Sequence, residues 1–163
     1  MFLAYWDKPQ PESYLYCFNY RGQILWRYLP NDTPVFGQVT YSKIFRGNGF
    51  ILEDFDHDGS SEIIVIFDCP SFFPTLLVLL NCEGKCLGKY WNSGRINDLL
   101  TADLNNDGQK EIIIGFQNNE WHRVGVAVLS PDHLEGASPQ TKDNYNCKNT
   151  PIRGRELYFL LLP

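Results

Sequence analysis

The chain has 163 residues, 44% hydrophobic and 15% aromatic, with 13 Gly, 10 Pro and a formal net charge of -5. That apolar content suits one domain with a sizeable core and excludes a disordered chain. The negative balance, without any Lys/Arg cluster, argues against nucleic acid or an anionic membrane surface as the principal partner.

In chain order, the first eight residues lack a basic n-region and a long apolar core, so they are not a signal peptide. Residues 13–18 read as a strand, Asn19-Tyr20-Arg21-Gly22 as a turn and 23–28 as the returning strand, which makes a hairpin. Residues 29–43, with Pro30, Asn31, Asp32, Pro34 and Gly37, read as a long loop. Strands are expected at 50–55 and 62–67, on either side of an acidic loop, and at 75–80. Asn81-Cys82-Glu83-Gly84 repeats the earlier Asn-x-x-Gly turn and leads into a strand at 85–91. Strand 95–102 enters a second acidic loop, and strands at 111–116 and 124–129 follow it. Residues 134–154 read as loop, and the apolar stretch 156–163 reads as a strand with no partner left in the sequence. The best apolar run, 72–80, is nine residues long and contains Pro74, too short for a membrane span.

The two acidic loops carry the chemistry. DFDHDGSSE at 54–62 runs into IIVIF, and 49 residues later DLNNDGQKE at 103–111 runs into IIIGF. Carboxylates this dense repel one another in a tight turn unless a cation lies among them. Calcium takes about six to eight oxygen ligands, and a glycine at the sixth loop position permits the sharp bend. Side-chain oxygens at loop positions one, three, five and nine, with the carbonyl at position seven, give Asp54, Asp56, Asp58, Glu62 and the Ser60 carbonyl in the first loop. In the second they give Asp103, Asn105, Asp107, Glu111 and the Gln109 carbonyl, with Lys110 beside them. An EF-hand would need a Glu at position twelve and a helix afterwards; position twelve is Val65 or Ile114, and both lie in β-branched runs. The alternative is that each loop is an Asp/Asn/Gly turn that binds no metal.

Five cysteines (Cys17, Cys69, Cys82, Cys86, Cys147) at irregular spacing imply neither a disulfide framework nor a zinc pattern. Free, packed thiols are expected for most, although Cys82 and Cys86 bracket a turn and could pair in an oxidising compartment. Trp6, Tyr20, Trp91 and Trp121 are candidates for a binding surface, with core packing the expectation for Trp91. His57, His122 and His133 fall in expected loops, with no nucleophile elbow and no paired His-x-x-x-His.

Four short antiparallel strands in a unit of about 50 residues is the cue for a propeller blade. The segments DFDHDGSSEIIVIF and DLNNDGQKEIIIGF, with LLNCEGKCLGKYW at 79–91, make the chain resemble the FG-GAP/VCBS (integrin-alpha-type) calcium-binding β-propeller family over roughly residues 13–130. The Phe-Gly-Gly-Ala-Pro element is absent, and Glu stands at the ninth loop position where the family often has Asp. The expected fold is all-β: a partial propeller of about three four-stranded blades in a single domain, 1–163, with units near 13–45, 49–91 and 95–134. Residues 135–163 are then loop plus the start of a further strand. About three units fall short of the roughly four to eight blades of a closed propeller. A fragment of a longer protein is therefore favoured over an assembling partial propeller or an open stack.

The resemblance implies structural calcium at the outer rim of each blade, and a platform for protein or glycan ligands instead of an enzyme. The alternatives are part of a propeller-containing lyase or hydrolase, and a metal-free structural repeat. The family is mostly extracytoplasmic; the chain itself leaves its compartment open.

Overall fold

A computed structural model describes residues 3–6, 13–41, 43–69, 73–148, 150 and 153–163, the first of these segments by its backbone alone. The protein is all-β: among the described residues thirteen strands form four antiparallel sheets and there is no α-helix. Among them no helix is long and apolar enough to cross a membrane.

The first sheet holds β1 (Leu3–Trp6), β2 (Leu15–Phe18) and β3 (Ile24–Tyr28) in that order. Its first strand lies ahead of every strand expected from the sequence. The expected long loop at 29–43 contains a minimal hairpin, β4 (Val35–Phe36) and β5 (Val39–Thr40), turning at Gly37 with φ of 59°. Two-residue strands leave no alternation to read.

The second sheet is β6 (Arg46–Glu53), β7 (Glu62–Asp68), β8 (Thr75–Leu80) and β9 (Cys86–Asn92). The third is β10 (Ile96–Ala102), β11 (Glu111–Asn118), β12 (Arg123–Leu129) and β13 (Glu156–Leu161). The continuous apolar runs of β7 and β8 are buried at every position, as a strand covered on both faces requires. Ile63, Val65 and Phe67 face a core shared with Leu15, Trp26 and Tyr28 of the first sheet. Ile64, Ile66, Leu77 and Leu79 face a core shared with Ile112, Ile114, Phe116 and Ala127 of the third. The second sheet is the middle layer of three.

Local geometry recurs where the sequence does. Asn19 Oδ1 accepts from the Arg21 and Gln23 amides at 2.9 and 3.0 Å, and Asn81 Oδ1 accepts from Glu83 and Lys85 at 3.1 and 2.8 Å. Gly22 and Gly84 close these turns at φ of 76° and 80°. Each hairpin then carries a one-residue bulge, at Leu25 and at Leu87. A matching pair of bulges lies at Asn48 in β6 and Asn97 in β10.

The C-terminal expectation is corrected. The stretch at 156–163 is not an unpartnered strand: β13 pairs antiparallel with β12 from Gly125↔Leu161 to Leu129↔Glu156 and completes the third sheet. In the connection between them, residues 130–148 run as a strap along the edge of the second sheet and the β4–β5 hairpin. Its Leu134 and Gly136 carbonyls accept from the Lys89 and Trp91 amides of edge strand β9 at 2.8 and 2.9 Å. Further on, the Asn146 carbonyl accepts from Gly37 at 3.1 Å and the Lys148 amide donates to Val35 at 2.7 Å. The strap satisfies an edge that would otherwise present unpaired backbone groups.

Candidate metal centre

Both acidic loops join the edge strand of a sheet to its inner neighbour, β6 to β7 and β10 to β11. A fixed set of bonds from side chain to backbone shapes each one. In the first, Asp54 Oδ2 accepts from Gly59 at 3.1 Å, Asp56 Oδ1 from Asp58 at 3.2 Å and Asp58 Oδ1 from Ser60 at 2.7 Å. In the second, Asp103 Oδ2 accepts from Gly108 at 2.9 Å, Asn105 Oδ1 from Asp107 at 2.9 Å and Asp107 Oδ1 from Gln109 at 2.8 Å. The fourth loop position is left-handed in both, His57 at φ of 58° and Asn106 at 60°, and the sixth is Gly59 or Gly108 at 88° and 91°. Alternate side chains thereby turn toward the loop interior while their neighbours turn out.

The Asp54, Asp56 and Asp58 carboxylates each place an oxygen within 4.8 Å of the others, the one such group among the described residues. Asp54 Oδ1 is buried and has no hydrogen-bond partner, while Asp56 and Asp58 are exposed. The bonds above engage one oxygen of each Asp in holding the loop. A buried carboxylate oxygen without a donor is costly, and a hard cation is the partner that fits an all-oxygen cluster of this charge.

Glu62 stands apart from that cluster. It is 5% exposed, and its Oε2 accepts from the Phe55 amide at 3.0 Å. Glu111 does the same for Leu104 at 2.8 Å. The longer side chain at position nine reaches back to position two and clamps the loop. Burial pushes the Glu62 carboxyl above the usual range, and Asp56, Asp58 and Asp54 add to the push. In the second loop Asn105 Nδ2 donates to Asp107 Oδ2 at 2.8 Å, a neutral cross-link in place of a third carboxylate. Ser60 is half-buried and Gln109 exposed.

The two loops touch each other. His57 Nε2 donates to the Gly108 carbonyl at 3.0 Å. Beside this bond, Glu53 Oε2 accepts from Lys110 Nζ at 2.9 Å and from Thr101 Oγ1 at 3.1 Å. The Lys110 bond holds the Glu53 carboxyl below its usual range against the opposing effect of burial. Glu53 is not among the residues expected from the sequence, and Lys110 is placed only beside the ligands of the second loop. The sequence shows only a Glu directly ahead of one loop and a Lys inside the other, with nothing to say that they meet.

Comparison with protein-family models, curated proteins and solved structures finds no match.

Trp91 is buried beside Phe36 and Phe45, with ring centroids 6.2 and 6.3 Å away, whereas Tyr20 is exposed, Trp121 is half-buried and the Trp6 side chain lies outside the described residues. In this structure no disulfide joins any of the five cysteines, Cys82 and Cys86 included. Burial and the Asp68 charge push the Cys69 thiol up to about 12, which keeps it protonated at neutral pH. His122 lies in the β11–β12 turn with φ of 52°, and His133 closes a short 3-10 turn, Pro131–His133.

Proposed function

We propose that the protein is a calcium-stapled β-sheet module of the FG-GAP/VCBS type, a partial propeller that serves as a platform for protein or glycan ligands. The observation that carries this reading is the convergence of Asp54, Asp56 and Asp58, with one buried oxygen of Asp54 left without a partner. Calcium in the first loop takes these carboxylates first, with the Ser60 carbonyl and Glu62 as the further oxygens. The second loop, with the same backbone shape but an Asn in place of one Asp, is the weaker site. Two loops of one shape, each running into a buried strand, and two Asn-x-x-Gly hairpins of one geometry support a blade-like unit used more than once.

The role of the ion is structural: it neutralises a loop that spans two strands and lies against a neighbouring sheet. Calorimetric titration with calcium tests this. Wild type is expected to show a tight and a weak site, and the double variant Asp56→Asn/Asp58→Asn to lose the tight one. Identical isotherms for the two proteins would overturn the assignment.

A further inference from the structure

Two side chains of the first acidic loop and its approach strand reach the second loop, and each stands beside a residue assigned to the ion. His57, between Asp56 and Asp58, donates through Nε2 to the Gly108 carbonyl at 3.0 Å. Glu53, directly ahead of Asp54, accepts from Lys110 Nζ at 2.9 Å and from Thr101 Oγ1 at 3.1 Å. Gly108 and Lys110 lie on either side of Gln109, whose carbonyl is the seventh-position oxygen of the second loop. The first loop therefore grips the second at both flanks of a ligand position.

His57 and Gly108 are themselves held. The His57 backbone is left-handed at φ of 58°, and the Asp58 amide that follows it donates to Asp56 Oδ1 at 3.2 Å, so the two flanking aspartates aim the ring. On the receiving side the Gly108 amide donates to Asp103 Oδ2 at 2.9 Å and the Gln109 amide to Asp107 Oδ1 at 2.8 Å. A shift of His57 thus reaches the carboxylates of the second loop. The loops differ in what holds them without an ion. Asp107 has both oxygens engaged, Oδ1 by Gln109 and Oδ2 by Asn105 Nδ2 at 2.8 Å. Asp54, Asp56 and Asp58 instead converge with like charge, and Asp54 Oδ1 has no partner. An ion that removes this repulsion fixes the first loop, and His57 with it, before the second loop fills.

We infer that the two loops bind divalent cations as a coupled pair, in which an ion in the first loop raises the affinity of the second through His57 on Gly108 and Glu53 on Lys110. The inference rests on the reading of the first loop as a calcium site. Repulsion between the two ions acts against the coupling, but both loops are exposed over most of their length, and salt screens it over about 8 Å at physiological ionic strength. The His57 bond is a direct contact and escapes that screening. Coupling between sites usually spans about 5–150-fold, and one hydrogen bond with one ion pair places this case near the lower end, at about fivefold.

Titration of the 163-residue chain with calcium chloride, followed by amide chemical shifts, reads the loops separately: Gly59 and Ser60 report the first, Gly108 and Gln109 the second. The test variant is His57→Asn, because Asn occupies the same position of the second loop, tolerates the left-handed backbone and is too short to reach Gly108. It is expected to leave the first-loop affinity unchanged and to lower that of the second about fivefold. Asp56→Asn/Asp58→Asn is expected to lower the second-loop affinity by the same factor, with no further loss when His57→Asn is added. A second loop that binds equally well or better in either variant would overturn the coupling and leave the calcium assignment standing, as would second-loop amides that stay still while the first loop titrates. An equal loss at both loops in His57→Asn would also overturn it, as damage to the first site. Wild-type amides that respond in neither loop would overturn the calcium assignment itself, and the coupling with it.

Discussion

His57 Nε2 and the Gly108 carbonyl lie 3.0 Å apart, so a residue at the fourth position of one acidic loop holds the sixth position of the other. The two loops, 49 residues apart in the chain, form one exposed cluster at the closest approach of two sheets.

Removal of this bond is expected to loosen the loop that is not mutated. His57→Ala costs about 1 kcal/mol, the net value of one exposed-to-partly-buried hydrogen bond. Amide hydrogen exchange at residues 104–110 accelerates in the variant, and exchange at those amides unchanged from wild type contradicts the contact.

Glu120 holds the strap to the β11–β12 turn. Its carboxylate accepts from the Thr141 amide at 2.8 Å, the Lys142 amide at 3.1 Å and the Thr141 hydroxyl, with the residue itself 4% exposed. Burial alone would raise this carboxyl, but the Thr141 and Lys142 bonds and the Lys142 charge outweigh it and hold it below the usual range. A lowered carboxyl contributes stability that is fully present above the ordinary Glu value of about 4.3 and lost as pH falls through the lowered one. Glu120→Gln is expected to lose about 1.5–3 kcal/mol at neutral pH, as for hydrogen bonds to a charged group. The deficit relative to wild type shrinks in acid. Denaturation curves that stay parallel for the two proteins from neutral pH into acid contradict the clasp.

Much of the local structure was legible because its bonds are local. The Asn19 and Asn81 turns close through amides two and four residues ahead, and the acidic loops through amides two to five ahead. Turn chemistry of this range is written in consecutive residues. The partner of β13 was not legible: the strand joins β12 across residues 130–155, where no apolar period marks a path and where the chain follows the edge of another sheet. Contact between the loops escaped for the same reason. It depends on how β6 and β10 approach across two layers, which neither loop encodes alone. Glu62 and Glu111 were assigned to the ion by position, yet the structure shows each with one oxygen clamping its own loop.

The two hairpin glycines separate backbone strain from packing. A Cβ on Gly22 meets open space, whereas one on Gly84 lies 2.6 Å from the Trp26 ring, whose Nε1 donates to the Cys82 carbonyl at 3.0 Å. Gly22→Ala therefore costs the left-handed penalty alone, about 1 kcal/mol, while Gly84→Ala adds displacement of Trp26 and costs about 1–3 kcal/mol more. Urea denaturation checks the difference, and equal losses at the two positions contradict the packing of Trp26 on the second turn.

If the carboxylates of the first loop bind a cation that stabilises the fold, thermal melts of wild type and Asp56→Asn/Asp58→Asn, each in calcium and in excess chelator, will show it. A ligand bound only by the folded state raises its stability by mass action. Wild type is expected to melt several degrees lower in chelator, and the variant to show a much smaller response with its calcium melt close to that of chelated wild type. Wild-type melts that coincide in the two conditions, or a variant more stable than wild type in calcium, would contradict the account, since the carboxylates would then only repel one another.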